Sequence, residues 1–352
     1  MVMKDPARDE PKTPQALLIP ELLRRIFELS SDKSNVSHAR VCRNWSEEAL
    51  SILWSSIDAY SLFTLLAPMT RGLGQSELAF SRDLVEGDWV RFERYSWRVR
   101  SLRFNLHFST SVFNSIAIGR RRLDFLPNLE ELYNPPPSPN EFLLFARASI
   151  KTLKIDQSFN VNDIELLPSR MPHIEHLTCI MYNWESPGSS TVSALQKLTS
   201  LTHLTISAEH LNVDLFHALG ALPNLCSISA RKAVVPKKKT SPFVFGTTPP
   251  PSASPSGSAE SVASKVFPPE SFPSLKEFDV HLPFSMAIEW IQIANRASSL
   301  HTLKIHSPHK ESAADYMHLT SRIALLCTKP WNYHGKPVPA TSPPRRPAES
   351  RH

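Results

Sequence analysis

The chain has 352 residues and 41% apolar content, enough for two or three domains with a large buried core. Only nine residues are glycine, and neither a GxGxxG nor a GxxxxGKS/T string occurs, which argues against a phosphate-binding glycine loop. The net charge is +6, but segments 231–271 and 329–352 each carry +4, which leaves about −2 for the rest of the chain. Nucleic-acid binding is therefore not favoured.

Cysteine usage and hydropathy indicate a reducing, intracellular setting. The four cysteines lie far apart in the sequence without a CxxC pair, so neither a disulfide framework nor a zinc ribbon is expected. No apolar run approaches the ~20 residues of a membrane helix, and the first fifteen residues lack the apolar core of a secretory signal. We expect a cytoplasmic or nuclear protein without a membrane partner.

Three short helices are predicted near the N-terminus, in segment 16–57, after a disordered segment 1–15. Apolar residues in ALLIPELLRRIFELS recur at helical spacing, and Pro20 stands where a helix can begin. A second helix is predicted from Asn35 to Trp45, and a third from Ser46 through Trp54. So short a segment buries its own apolar faces poorly, so it either docks on a partner or packs on the rest of the chain.

The same segment resembles an F-box. The resemblance rests on IPELLRRIF (19–27), ARVCRNW (39–45) and ALSILW (49–54), which stand in the usual order and spacing. It implies binding to a Skp-type adaptor and, through it, to the cullin of a cullin–RING ubiquitin ligase. The positions that the resemblance assigns to the adaptor surface are Ile19, Pro20, Leu22, Leu23, Ile26, Phe27, Val41, Cys42 and Trp45. Some of these positions would instead build the small core, and the alternative is a helical cap alone.

A repeated pattern fills segment 99–328. An apolar anchor is followed by two variable residues, an apolar residue, one variable residue and often another apolar one. It occurs as VRSLRF (99–104), LEELYN (129–134), IKTLKI (150–155), IEHLTC (174–179), LTHLTI (201–206), LCSISA (225–230), LKEFDV (275–280) and LHTLKI (300–305). From LEELYN onward the anchors are 21, 24, 27, 24, 50 and 25 residues apart.

This spacing predicts an α/β fold in which a strand and a helix alternate about every 25 residues. Helix starts are predicted at Ser138 with Pro139, at Asn162 and at Ser312. The pattern resembles leucine-rich repeats, which implies a curved solenoid with strands along its concave face. The 50-residue gap holds a proline- and serine-rich insertion, 234–269, that is predicted to be disordered, like the tail 329–352.

The segment between these two parts, 58–98, is predicted to be a helical linker or cap. Trp89, Phe92, Ser96 and Val99 share a helical face in GDWVRFERYSWRV. The join DWVRFERY…RVRSL and the order of the whole chain are similar to the F-box proteins abundant in mushroom-forming fungi.

On the predicted concave face, positions two, four and six after each anchor form columns of polar side chains. Their members are proposed to contact a protein target: His176, Thr178, His203, Thr205, Ser229, Asp279 and Lys304. Two histidine pairs, His176 with His203 and His281 with His306, are predicted on neighbouring strands about 4.8 Å apart. Two ligands are too few for zinc, so no metal or other cofactor is expected.

No catalytic arrangement is evident, because GxSxG, HExxH and a supported cysteine–histidine pair are all missing from the sequence. The expected function is the substrate-recognition subunit of an SCF-type ubiquitin ligase, without an activity of its own. The alternatives are a non-degradative F-box and leucine-rich-repeat scaffold and, less favoured by the charge distribution, a nucleic-acid-binding solenoid.

Overall fold

The protein is described by a computed structural model that covers residues 17, 19–72, 76–156, 161–180, 189–231, 271–282, 284, 287–288, 300–307, 311–326 and 332–333. The chain divides into two compact units, residues 1–201 and residues 202–352. Each unit is mixed α/β and contains a parallel sheet.

The first unit opens with three helices and continues with alternating strands and helices. Its helices are α1 (Pro20–Glu28), α2 (Asp32–His38), α3 (Arg43–Leu53), α4 (Ala59–Phe63), α5 (Glu86–Ser96), α6 (Thr110–Gly119), α7 (Pro139–Phe142), α8 (Leu167–Arg170) and α9 (Ser189–Gln196), with a 3-10 helix at Val161–Leu166. Its strands are β1 (Ser56–Asp58), β2 (Met69–Arg71), β3 (Leu78–Phe80), β4 (Ser101–Arg103), β5 (Glu131–Tyr133), β6 (Thr152–Asp156) and β7 (His176–Ile180).

Five strands of the first unit form a parallel sheet in the order β1-β4-β5-β6-β7, and β2 and β3 form a separate antiparallel hairpin. The strands are in register, so that one buried leucine from each stacks on the next. These leucines are Leu102, Leu132, Leu153 and Leu177. The repeated apolar position of the sequence pattern is thus a continuous row in the core.

A cluster of phenylalanines fills the core beside the first strands. Phe63 of α4 lies 5.3 Å from Phe108 and 6.3 Å from Phe113, measured between ring centroids. Phe104 and Phe145 are 5.1 Å apart with their rings edge to face. Large aromatic side chains bury much apolar area in such arrangements, so this cluster anchors α4 and α6 to the sheet.

The second unit contains four five-residue strands and two α-helices within the residues that the structure describes. Its elements are β8 (His203–Ser207), a 3-10 helix (Ala208–His210), α10 (Val213–Gly220), β9 (Ser227–Arg231), β10 (Glu277–His281), β11 (Thr302–His306), α11 (Ala313–Leu326) and a short strand β12 (Asn332–Tyr333). These strands pair in parallel in the order β8-β9-β10-β11-β12. The buried row here is Leu204, Ile228, Phe278 and Leu303.

The α/β class and the strand spacing are confirmed within each unit. Every strand from β4 to β11 falls on one of the eight repeated strings, and β5 is as short as its Asn134 predicts, because Asn134 turns into the left-handed region at φ 51°. The buried face of α5 is also confirmed, since Trp89, Phe92 and Ser96 are buried.

The predicted extent of the second helix is wrong. The side chain of Ser31 accepts a hydrogen bond from the Ser34 N–H, so α2 begins at Asp32 instead of Asn35. Cys42 then takes an extended conformation, φ −159° and ψ 172°, which ends the helical path before Trp45 and starts α3 at Arg43. The apolar spacing of Val41 and Trp45 imitates a continuous helix that the backbone does not form.

Other local predictions differ in smaller ways. Segment 58–98 holds the β2–β3 hairpin as well as helices. Ser138 precedes α7 without capping it through its side chain, and Asn162 lies inside a 3-10 helix instead of opening an α-helix. Ser312 does cap α11, because its Oγ accepts from the Asp315 N–H at 3.1 Å. The predicted helix around Trp290, the insertion, the tail and segment 1–15 lie outside the described residues.

Candidate functional site

Helix α1 carries apolar side chains on two sides, of which only one is buried. Leu23 and Phe27 are each 1% exposed and, with Ala49 of α3, form the centre of a small core. Leu22 and Ile26 lie on the other side and are each 46% exposed. The three helices therefore have a complete interior that does not use every large apolar residue of α1.

Aromatic packing and one buried amide hold the three helices together. The Phe27 ring stacks on His38 at 4.7 Å and meets Trp45 edge to face at 5.4 Å. Asn35 is fully buried, and its Nδ2 donates to the Phe27 carbonyl oxygen at 2.9 Å. Trp45 and Phe27 consequently serve the internal core of this segment.

The apolar stripe is the name used here for the exposed large apolar residues on the outer side of α1 and its two ends. Its members are Ile19, Leu22, Ile26 and Leu29. Their spacing of three or four residues aligns them along one side of the helix. Pro20 is also exposed, and α2 and the following loop add exposed Val36, Val41 and Cys42. Contiguous apolar surface of this kind is typical of an interaction site.

The three helices are joined to the following residues by polar and aromatic contacts. Glu47 of α3 forms an ion pair with the buried guanidinium of Arg98, which also lies 4.1 Å over the Trp97 ring. Trp54, directly after α3, stacks on Tyr95 of α5 at 4.5 Å. These contacts leave the apolar stripe free of the rest of the first unit.

On the parallel strands, polar residues alternate with the buried rows and line up from strand to strand. In the first unit Thr152 pairs with His176, and Lys154 pairs with Thr178. His176 is exposed and Thr178 is half-buried. The columns predicted from the sequence are therefore confirmed between β6 and β7.

The second unit has the same columns over more strands. One column runs through His203, Ser227, Glu277 and Thr302, and the next through Thr205, Ser229, Asp279 and Lys304. Ser229 is buried, whereas Thr205 and Lys304 are half-buried and His203 is exposed. Thus five of the proposed target contacts, His203, Thr205, Ser229, Asp279 and Lys304, share one strand face.

The histidine pair of the second unit lies as the sequence predicts. His281 and His306 pair across β10 and β11, and their rings stack with centroids 4.6 Å apart. Burial lowers the pKa of His281 below its ordinary value, and the charges of His306 and Arg231 lower it further, while Asp279 opposes them. The other pair stays a prediction, because His176 belongs to the first unit and His203 to the second.

Sequence reasoning missed parts of both surfaces. Leu29 and Val36 are exposed beside the assigned adaptor positions, and helical spacing from Leu22 and Ile26 would have included Leu29. Asp279 approaches His306 diagonally, with its Oδ1 3.5 Å from the His306 Nε2. Comparing positions two apart on neighbouring strands, instead of only directly opposite ones, would have found this contact.

The chain was also compared with known proteins. No protein-family model matches it. No curated protein matches it either. Among the described helices, none combines the length and the apolar character needed to cross a bilayer.

Proposed function

We propose that this chain is an F-box protein with leucine-rich repeats that acts as a substrate receptor of an SCF-type cullin–RING ubiquitin ligase. The observation that carries the proposal is the separation of the two apolar sides of α1. Residues that resemble the F-box motif supply both sides, and one set, including Leu22 and Ile26, remains exposed next to a finished core. A helical cap would need only the buried set.

The size of the apolar stripe bears on the strength of adaptor binding. Complete burial of a large aliphatic side chain contributes about 1.5–3 kcal/mol, so half-exposed residues such as Ile19, Leu22 and Ile26 would add about 1 kcal/mol each. Association costs about 4–15 kcal/mol in lost freedom of motion. The stripe alone offsets the lower part of that range, and we expect the adaptor to cover Val36 and Val41 as well.

The strand-face columns are the proposed target surface. In the second unit they present hydroxyl, carboxylate, imidazole and ammonium groups side by side, at the ~4.8 Å spacing of neighbouring strands. Such groups distinguish one partner from another through hydrogen bonds and charge. The proposed mechanism is positioning: the chain holds a target near the ubiquitin-charged enzyme and raises its effective concentration there.

The first test is co-purification of the full chain with a Skp-type adaptor. A Leu22→Ser, Ile26→Ser variant should lose the adaptor while keeping its circular dichroism spectrum and melting temperature, because both side chains lie outside the core. The matched control is Val90→Ser with Ile118→Ser, which removes exposed apolar residues of α5 and α6. A folded wild type that never binds adaptor, or equal loss in the control, contradicts the proposal.

Degradation separates a ligase receptor from a scaffold. In cells that carry the Leu22→Ser, Ile26→Ser variant instead of the wild type, protein half-lives should lengthen for a small set of targets. If the adaptor binds but no half-life changes, the chain is a non-degradative scaffold.

A further inference from the structure

A cluster of three metal-ligating groups lies on the polar strand face of the second unit. Asp279 and His281 stand two residues apart on β10, so both side chains lie on the same face of the strand. His306 on β11 is the direct neighbour of His281. A carboxylate and two imidazoles are thus brought together by the pleat and the register of the sheet.

The separations fit a small metal ion. One ligand atom from each of the three residues lies within 4.8 Å of the others, and no second such trio occurs in the part of the chain that the structure describes. The Asp279 Oδ1 and the His306 Nε2 are already 3.5 Å apart. Tetrahedral zinc, with bonds of about 2.0–2.2 Å, needs its ligands about 3.4 Å apart. The remaining gap closes by rotation of the imidazole rings.

The carboxylate has an oxygen that is not satisfied within the described residues. Asp279 Oδ1 is shielded from solvent, yet it accepts no hydrogen bond there. A buried acceptor without a partner costs free energy, and the adjacent histidine approaches it without hydrogen-bond geometry. A cation between the three groups would satisfy this oxygen.

The surrounding charges are mixed. Arg231 lies near enough to lower the pKa of His281, but its Nε donates to Ser229 Oγ at 3.2 Å. Lys304 stands opposite Asp279 in the register without an ion pair between them among the described contacts. On the other side, Glu277 precedes Asp279 by two residues on the same face. The field at the cluster is therefore close to balanced and does not by itself exclude a divalent ion.

We propose that Asp279, His281 and His306 form a binding site for a divalent transition-metal ion of the zinc class. Imidazole nitrogens select zinc, nickel, cobalt or copper over magnesium and calcium. Three protein ligands leave one position of a tetrahedral ion open. Because His306 and Asp279 are partly exposed, water can take that position from the solvent side of the sheet.

The test is metal titration of the full-length, chelator-stripped protein, with zinc measured by competition against a chromophoric chelator and cobalt by its visible absorption. We expect saturable binding of one zinc per chain, a higher melting temperature with zinc, and no effect of magnesium. His281→Ala, His306→Ala and Asp279→Asn should each weaken zinc binding by about 100-fold, since loss of even an outer-sphere partner costs 10–100-fold.

The matched control is His203→Ala, which removes an exposed histidine from the same strand face, outside the trio. This variant should bind zinc and cobalt as the wild type does. Because the three ligands lie on the surface side of the strands, each variant should keep the circular dichroism spectrum of the wild type. Equal zinc affinity in the wild type and the three ligand variants, or no saturable binding by the wild type, overturns the proposal.

Discussion

At the scale of single residues, Asp88 links the hairpin side of the first unit to the start of α5. It accepts two hydrogen bonds from the Arg82 guanidinium, at 2.7 and 2.8 Å, and one from the Val85 N–H at 2.9 Å. The bonds from Arg82 are the main reason why the pKa of Asp88 lies below its ordinary value. The same carboxylate thus closes the first turn of the helix and ties it to the preceding loop.

This arrangement predicts how α5 responds to acid. Since the folded pKa of Asp88 is lower than the unfolded value of about 3.9, its contribution to stability is complete above that value and is lost as pH falls through the folded pKa. Asp88→Asn should remove this contribution and flatten the acid side of the stability profile. Melting temperatures between neutral pH and acid would show it.

The control for acid sensitivity is Asp83→Asn, which removes an exposed carboxylate from the same loop but none of these three hydrogen bonds. It should keep the acid sensitivity of the wild type. Identical profiles for Asp88→Asn and the wild type would show that the Arg82–Asp88 pair does not stabilise the fold.

At the scale of elements, α1 separates stability from binding along one helix. Phe27→Ala should destabilise the N-terminal helices by about 3–5 kcal/mol, because it empties a fully buried aromatic site. Ile26→Ala, one residue away on the exposed side, should change stability by about 0.5 kcal/mol or less. Hydrogen exchange of the backbone amides in residues 20–53 measures both effects. Similar losses in the two variants would mean that the apolar stripe is part of the core.

The sequence predicts these elements unevenly, for physical reasons. The strands of the repeats are predicted because each buries an apolar row at fixed spacing, as Leu153 and Leu177 do. Strand β1 and the β2–β3 hairpin are missed because three residues are too few to show alternation. The break at Cys42 is missed because neither glycine nor proline marks it.

The candidate surfaces divide in the same way. The motif marks Leu22, Leu23, Ile26 and Phe27 as apolar, but only the packed structure distinguishes the buried pair from the exposed pair. The strand-face columns follow from spacing alone. The approach of Asp279 to His306 does not, because it depends on side-chain directions across the sheet.

At the scale of the whole chain, spacing between strands shows where extra residues are tolerated. Strands β8 and β9 begin 24 residues apart, and β10 and β11 begin 25 apart, but β9 and β10 begin 50 apart. Despite the difference, Ser227 pairs directly with Glu277. Doubling the length of a connection costs only about 0.6 kcal/mol in loop closure, so the long connection leaves the register unchanged.

Removal of residues 238–262 should therefore preserve the fold. It leaves 20 residues between β9 and β10, the same number that separates β10 from β11. Removal of 234–269 leaves nine, fewer than the dozen or so that a parallel connection needs, and should lower the melting temperature. Thermal unfolding distinguishes the two variants. A large loss in the shorter deletion would show that residues 238–262 contribute to the packing of the second unit.

The order of strands in each sheet also bears on how the protein is made. Apart from the β2–β3 hairpin, each strand in the sheet of either unit pairs with the sheet strand that precedes it in the chain. Contact order is low for such a topology, because no strand waits for a distant partner. During translation, each new strand can add to an edge that has already left the ribosome, and the growing chain then exposes one unpaired edge at a time.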